Sequence, residues 1–224
     1  MNMPIQIIDG NIFTSPAQTL VNTVNCFGVM GAGIAKEYAI RYPKMLEDYK
    51  KICDRKLLEV GKLWIYDVSE ERKILNFPTK KHWRDPSQML FLELGMQKFL
   101  QTYQEKGITS IAFPLLGVQN GGLDPNHVQS FMEEKLSRCD IDVAIYRYDK
   151  DASDDIAPKV CQIFQELSLE SIQNSTSLTK AQVKKISEIF LNHSIRSLNQ
   201  CMRMPQVGTQ TVQNIIVLAT EIEL

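Results

Sequence analysis

Residues 20–35 read LVNTVNCFGVMGAGIA, a β-branched strand pattern that runs into Gly28, Gly31 and Gly33 and leaves them with helical spacing. Glycine permits positive φ and close backbone approach, and the first amides of the following helix have no partner within it. A strand, loop and helix of this kind suits a phosphate oxygen. It is not a Walker loop, because no Gly-Lys-Ser/Thr follows, and its glycines do not fall at the GxGxxG spacing of the usual dinucleotide fingerprint. From these residues alone, two readings stand: a phosphate loop or a plain tight turn.

The surroundings narrow the fold. Residues 5–8, 19–24, 62–66, 73–77, 110–114 and 141–147 are short runs rich in β-branched and aromatic residues and read as strands. Between them, residues 32–41, 43–53, 88–104 and 125–139 carry apolar residues at three- and four-residue spacing and read as helices. The alternation predicts an α/β fold, a sheet covered by helices on both faces, with a ligand where loops leave the strand ends. After Tyr148 a polar stretch (Asp149, Lys150, Asp151, Ala152, Ser153, Asp154 and Asp155) reads as a hinge, so we expect one domain over 1–150 and a small, mostly helical appendage over 151–224. The appendage reads as about three helices, 156–167, 180–192 and 212–223. The run Ile215, Ile216, Val217 and Leu218 suits a strand equally. No internal repeat stands out in it.

Charge and cysteine usage exclude several classes. Lys and Arg total 25 against 26 Asp and Glu, so no global positive field draws the molecule onto nucleic acid and any such contact is local. Five cysteines without a CxxC pair argue against a disulfide framework and a zinc site, and His127 and His193 have no partner at ligand spacing. The N-terminus lacks a signal-peptide pattern and no segment approaches the roughly 20 apolar residues of a membrane span, so the expectation is a cytoplasmic protein with no membrane partner.

VNTVN followed by GVMGAGIA resembles the first ligand loop of macrodomains, which hold ADP-ribose. Three more segments agree in order: Asp9-Gly10-Asn11-Ile12-Phe13, the lysine-bearing stretch 76–87 (NFPTKKHWRDPS), and 114–124 (PLLGVQNGGLD), which resembles the second phosphate loop. The match covers residues 1 to 150 and is most similar to the branch that holds the terminal ADP-ribose glycohydrolase and DarG. The resemblance implies a three-layer α/β/α macrodomain with a mixed central sheet. It places Asn11 and Ile12 at the adenine, Asn22 and Asn25 near the distal ribose, and Gly31, Ala32, Gly33 and Ile34 along the pyrophosphate. Gly117, Val118, Gln119, Asn120, Gly121, Gly122 and Leu123 would close over it. Lys80 becomes the catalytic candidate: an amine desolvated beside a second cation, here Lys81 with His82, is activated as a nucleophile or base toward the anomeric carbon. His82, Trp83 and Arg84 set a ring stacker and a guanidinium beside it, suited to single-stranded nucleic acid; alternatively Trp83 anchors its loop on the core and Arg84 pairs with Asp85.

The departures are specific. Asn11 stands where most macrodomains have an aspartate, Val118 and Gln119 replace the usual Cys-Gly, and the acid of the terminal glycohydrolase branch aligns with Gly121. Asp124 reads better as a helix cap before Pro125 than as a catalytic acid. Cys26 lacks a local histidine and reads as a small buried thiol. Lys36, Arg41, Lys44, Lys50 and Lys51 read as a solvated face. The resemblance thus implies a glycohydrolase that frees ADP-ribose from thymidine in single-stranded DNA, without metal or redox cofactor, as antitoxin to a DarT-like ADP-ribosyltransferase. The alternatives are an enzyme acting on ADP-ribosylated protein and a non-catalytic ADP-ribose reader.

Overall fold

The computed structural model describes residues 5–223. Six strands form one sheet: β1 (Gln6–Gly10), β2 (Thr19–Asn25), β3 (Trp64–Asp67), β4 (Lys73–Lys80), β5 (Ser110–Pro114) and β6 (Asp142–Tyr148), in the order β1-β6-β5-β2-β4-β3. Only β3 runs antiparallel to its neighbour; the other pairings are parallel, so the sheet is mixed. Side-chain alternation then sorts the apolar residues onto two faces. Val21, Leu75, Phe77, Ile111, Phe113, Val143 and Ile145 pack beneath α3 (Met89–Thr102) and α4 (Pro125–Leu136). Leu20, Val24, Ile74, Ala112 and Tyr146 pack beneath α1 (Gly33–Arg41) and α2 (Pro43–Asp54). This is a three-layer α/β/α arrangement. Where α3 crosses β4, a Cβ on Gly95 would lie 2.3 Å from the Phe77 ring, so glycine sets that close approach.

Parallel β2, β4 and β5 end on the same edge of the sheet, and the three loops that follow them meet there. Strand β4 runs to Lys80, three residues beyond the run of β-branched and aromatic residues, because Asn25 pairs with Lys80 across a bulge after Val24.

The chain divides into two compact units, the first ending at Tyr148 and the second beginning at Asp149. The second is helical: α5 (Ala157–Glu166), α6 (Leu169–Asn174), α7 (Lys180–Asn192), α8 (Leu198–Arg203) and α9 (Thr209–Glu221). The run 215–218 therefore lies in a helix, and two short helices join the three expected. Asp154, counted in the polar hinge, is instead buried: its carboxylate accepts the amides of Ile156, Ala157 and Leu198 at 3.0, 2.8 and 2.6 Å, tying the start of α5 to the start of α8.

An internal repeat is present after all. The pairs α6–α7 and α8–α9 have equal helix lengths and are offset by 29 residues throughout. Buried Ile172, Leu178, Val183, Ile186 and Ile189 correspond to buried Cys201, Val207, Val212, Ile215 and Leu218. Only Val183/Val212 and Ile186/Ile215 are identical, so what repeats is chiefly the spacing of buried positions, which a chain without known helix ends hides. Among the described residues, no helix is long and apolar enough to cross a membrane.

Candidate ADP-ribose site

The first loop is built by Asn25. Its amide oxygen accepts the amides of Phe27 (2.9 Å) and Val29 (3.3 Å), and its amide nitrogen donates to the Val29 carbonyl (2.5 Å). Tyr49 of α2 donates its hydroxyl to Asn25 from below, and Gly28 turns at φ +94°, against Cys53. The loop then enters α1 through extended Ala32, whose side chain offers no cap, leaving the first amides of α1 for another acceptor. Asn25 thus shapes the loop with both ends of its amide.

The second loop closes on itself through Gly122 N–H to Val118 O (2.9 Å) and Leu123 N–H to Gly117 O (3.1 Å), and Ser87 N–H donates to Gly121 O (2.9 Å). Gly117 and Gly122 adopt positive φ, +67° and +79°. The loops approach each other closely: a Cβ on Gly33, itself at φ +56°, would lie 2.4 Å from the Asn120 amide nitrogen. Residues 31–34 and 117–123 therefore face one another across a narrow gap.

Lys80 leaves the end of β4 and its ammonium donates to the Asn120 carbonyl at 2.5 Å. The Lys81 ammonium lies 5.7 Å from the centroid of the Phe91 ring. The partner found for Lys80 is a carbonyl oxygen of the second loop. The next three residues form a ladder at the surface. His82 stacks on Trp83 (centroids 5.6 Å, 28°), the Arg84 guanidinium lies 4.5 Å over Trp83, and Phe27 meets His82 edge-on at 4.4 Å. Trp83 is 42% exposed and Arg84 rests on it, so neither serves as the core anchor or the Asp85 pair weighed above. Phe27 is 57% exposed and was not singled out from the sequence. The signal was there, a large aromatic among loop glycines, but nothing local said that it would meet His82.

The remaining candidates lie deeper. Asn11 and Ile12 are buried, and the Asn11 amide oxygen caps a 3-10 turn (Ile12–Thr14) by accepting the Phe13 amide at 3.1 Å. Asn22 is fully buried and donates to Asn76 Oδ1 at 2.9 Å, while its own Oδ1 has no protein partner. Asp124 caps α4, accepting the His127 amide at 2.8 Å. Burial pushes the Cys26 thiol up to about 11, with Cys53 and Glu59 adding to it, which suits an inert thiol. Arg41 does not join a solvated basic face: it is buried in a 2.9 Å ion pair with Glu37 and stacks 3.9 Å over Phe13.

The Macro domain family model matches residues 21–132. The "DNA ADP-ribosyl glycohydrolase" of Mycobacterium tuberculosis is 40% identical over 141 residues, 61% of this chain and 40% of that protein. The protein of the same name from Thermus aquaticus is 38% identical over 146 residues, 63% of this chain and 41% of its own length. The chain thus spans about two fifths of the length of these curated relatives. Among solved structures, the macrodomain of Mycobacterium tuberculosis DarG shares 39% identity with a TM-score of 0.62, covering 64% of this chain and 97% of that one. Thermosipho africanus DarTG, in complex with ADP-ribose, shares 32% identity with a TM-score of 0.61, over 66% of this chain and 42% of that one.

Proposed function

Because the chain belongs to the Macro domain family, we propose that its first unit is a glycohydrolase that frees ADP-ribose from a nucleobase, thymidine, in single-stranded DNA. The observation that carries this reading is the Lys80 ammonium, held by the Asn120 carbonyl at the junction of the two glycine loops. In this proposal the pyrophosphate lies between residues 31–34 and 117–123, taking the free amides of α1 on one side and the turns of the second loop on the other. In this proposal Asn22, buried on β2 with an Oδ1 that has no partner in the protein, directs the ribose toward Lys80. Lys80, in its neutral amine form, takes a proton from water as that water attacks the anomeric carbon and the bond to the base breaks, the proton passing to the departing base nitrogen; alternatively the neutral amine itself attacks, the base leaves with the proton released from Lys80, and water then hydrolyses the Lys80 adduct to free ADP-ribose. Asn25 and Asn11 act by fixing the backbone around the ligand, since their side chains are already bonded to it.

The DNA part of the proposal draws on the exposed ladder of Phe27, His82, Trp83 and Arg84. Rings of this kind stack on unpaired bases and a guanidinium meets phosphate. A Thermosipho africanus relative is named a DNA ADP-ribosyl transferase–DNA ADP-ribosyl glycohydrolase fusion, which supports a DarT-like transferase as the counterpart of this chain.

The test is release of ADP-ribose from a single-stranded oligonucleotide carrying ADP-ribosylated thymidine, with Lys80→Ala beside the native chain. Release by the native chain, lost in Lys80→Ala with ADP-ribose binding retained, is expected. Binding without release sinks the DNA reading in favour of a reader or a protein-directed enzyme.

A further inference from the structure

His82 differs from the other members of the surface ladder: it is half-buried, whereas Phe27, Trp83 and Arg84 are exposed. The strand ends keep it close to Lys80. Asn25 of β2 pairs with Lys80 of β4, and the next amide, Cys26 N–H, donates to the carbonyls of both Lys80 and Lys81 at 3.1 Å. The segments that lead to Phe27 and to His82 are therefore stitched together as they leave the sheet. Their rings then meet 4.4 Å apart, and Trp83 stacks on His82 from the next position. Packed against two aromatic neighbours, the imidazole is better placed to offer a ligand its edge than its face.

Which edge it offers is set by the turn that follows. The Arg84 backbone N–H donates to His82 Nδ1 at 3.2 Å, and the Asp85 N–H closes the turn on the His82 carbonyl at 3.1 Å. A backbone amide only donates, so Nδ1 is an acceptor here and the proton of the neutral ring is on Nε2. Nε2 meets no acceptor among the described residues. The turn thus fixes an unused N–H donor two residues beyond Lys80.

We propose that His82 is a second catalytic residue, whose Nε2–H donates a hydrogen bond to a carbonyl oxygen of the departing thymine. This rests on the glycohydrolase reading. In thymidine one ring nitrogen already carries the deoxyribose, so an N-linked ADP-ribose occupies the other, which lies between two carbonyl groups. When the bond from that nitrogen to the anomeric carbon breaks, its electron pair stays with the base and spreads onto the two oxygens until a proton reaches the nitrogen. A donor at one of them meets charge that is small in the bound substrate and grows as the bond breaks, so it speeds the step more than it tightens binding. His82 keeps its own proton throughout; the one that reaches the base comes by way of Lys80.

The test is steady-state release of ADP-ribose from two single-stranded oligonucleotides, one carrying ADP-ribosylated thymidine and one ADP-ribosylated 5-fluorodeoxyuridine, whose fluorine already draws charge out of the leaving base. Native chain, His82→Phe and His82→Gln are compared. Phenylalanine keeps a ring against Phe27 and Trp83 and removes the donor, while glutamine restores an N–H. On thymidine we expect kcat to fall about a hundredfold in His82→Phe with KM nearly unchanged, and part of the loss to return in His82→Gln. On the fluorinated base the loss should shrink to about tenfold or less. Both bases are read on the same variant, so a partly unfolded sample cancels in their ratio. The assignment is overturned if His82→Phe turns over as fast as the native chain, if the loss falls on KM, or if it is equal on the two bases. Those results leave the glycohydrolase reading standing, because the native chain still releases ADP-ribose; no release by the native chain removes that reading and this assignment together.

Discussion

Two adjacent glycines of the second loop should respond to alanine to different degrees and for different reasons. At Gly121 a Cβ would lie 2.1 Å from the Gly117 carbonyl oxygen and 2.4 Å from Ser87 Oγ, and the first of these is backbone that no rotamer change relieves. The loop must open by about 1 Å to restore ordinary contact. That opening strains three hydrogen bonds, Ser87 to Gly121, Gly122 to Val118 and Leu123 to Gly117. At roughly 1 kcal/mol each, the cost is about 2–3 kcal/mol. Gly122 has open space at its Cβ but φ +79°, so Gly122→Ala costs only the left-handed strain, about 1–2 kcal/mol. Both tryptophans, Trp64 and Trp83, lie in the first unit, so tryptophan fluorescence during heating follows that unit alone. Gly121→Ala should lower its midpoint by about 5–10 °C. Function separates the two further, because Asn120, whose carbonyl holds Lys80, moves with Gly121. A displacement of about 1 Å at a reacting group is worth on the order of a hundredfold in rate, so ADP-ribose release should fall by that much in Gly121→Ala and by far less in Gly122→Ala. Native-like release from Gly121→Ala, or a greater loss of stability in Gly122→Ala, would refute the close approach on which this reasoning rests.

Three further outcomes are expected. Phe27→Ala should leave free ADP-ribose binding unchanged while raising KM for a modified oligonucleotide by about 5- to 150-fold, since stacking on one base contributes roughly 1–3 kcal/mol; an equal loss for both ligands would place Phe27 in the ADP-ribose pocket instead. Burial holds the thiols of Cys26, Cys53 and Cys139 up at about 11, so iodoacetamide at neutral pH should label them far more slowly than the same chain unfolded, read by peptide mass spectrometry; rapid labelling of Cys26 would show that the first loop opens. Glu221 is held below its ordinary value of 4.5 by Ser177, so its stabilising effect is fully present above that pH and is lost as acid carries the solution through the lower folded value. Melting of the second unit followed by amide exchange should therefore fall with acidification in the native chain and depend less on pH in Glu221→Gln.

What the sequence determined by itself was whatever acts over a few residues. Alternation over 19–24 and 110–114, helical spacing over 32–41 and 88–104, and the glycines of residues 28–33 and 117–122 announced the α/β class and two tight glycine loops, because propensity and φ requirements are local. Asp124 before Pro125 announced a helix start for the same reason. Tertiary structure decided the partners. Lys80 met a carbonyl forty residues away, and Phe27 met His82 across two loops. Asp154 left the hinge to tie α5 to α8, and the 29-residue repeat emerged only once helix ends and buried positions were known. Each depends on which side of a strand or helix a group leaves from and what the packed chain has brought there. That is a property of the whole fold, and no window of a few residues contains it.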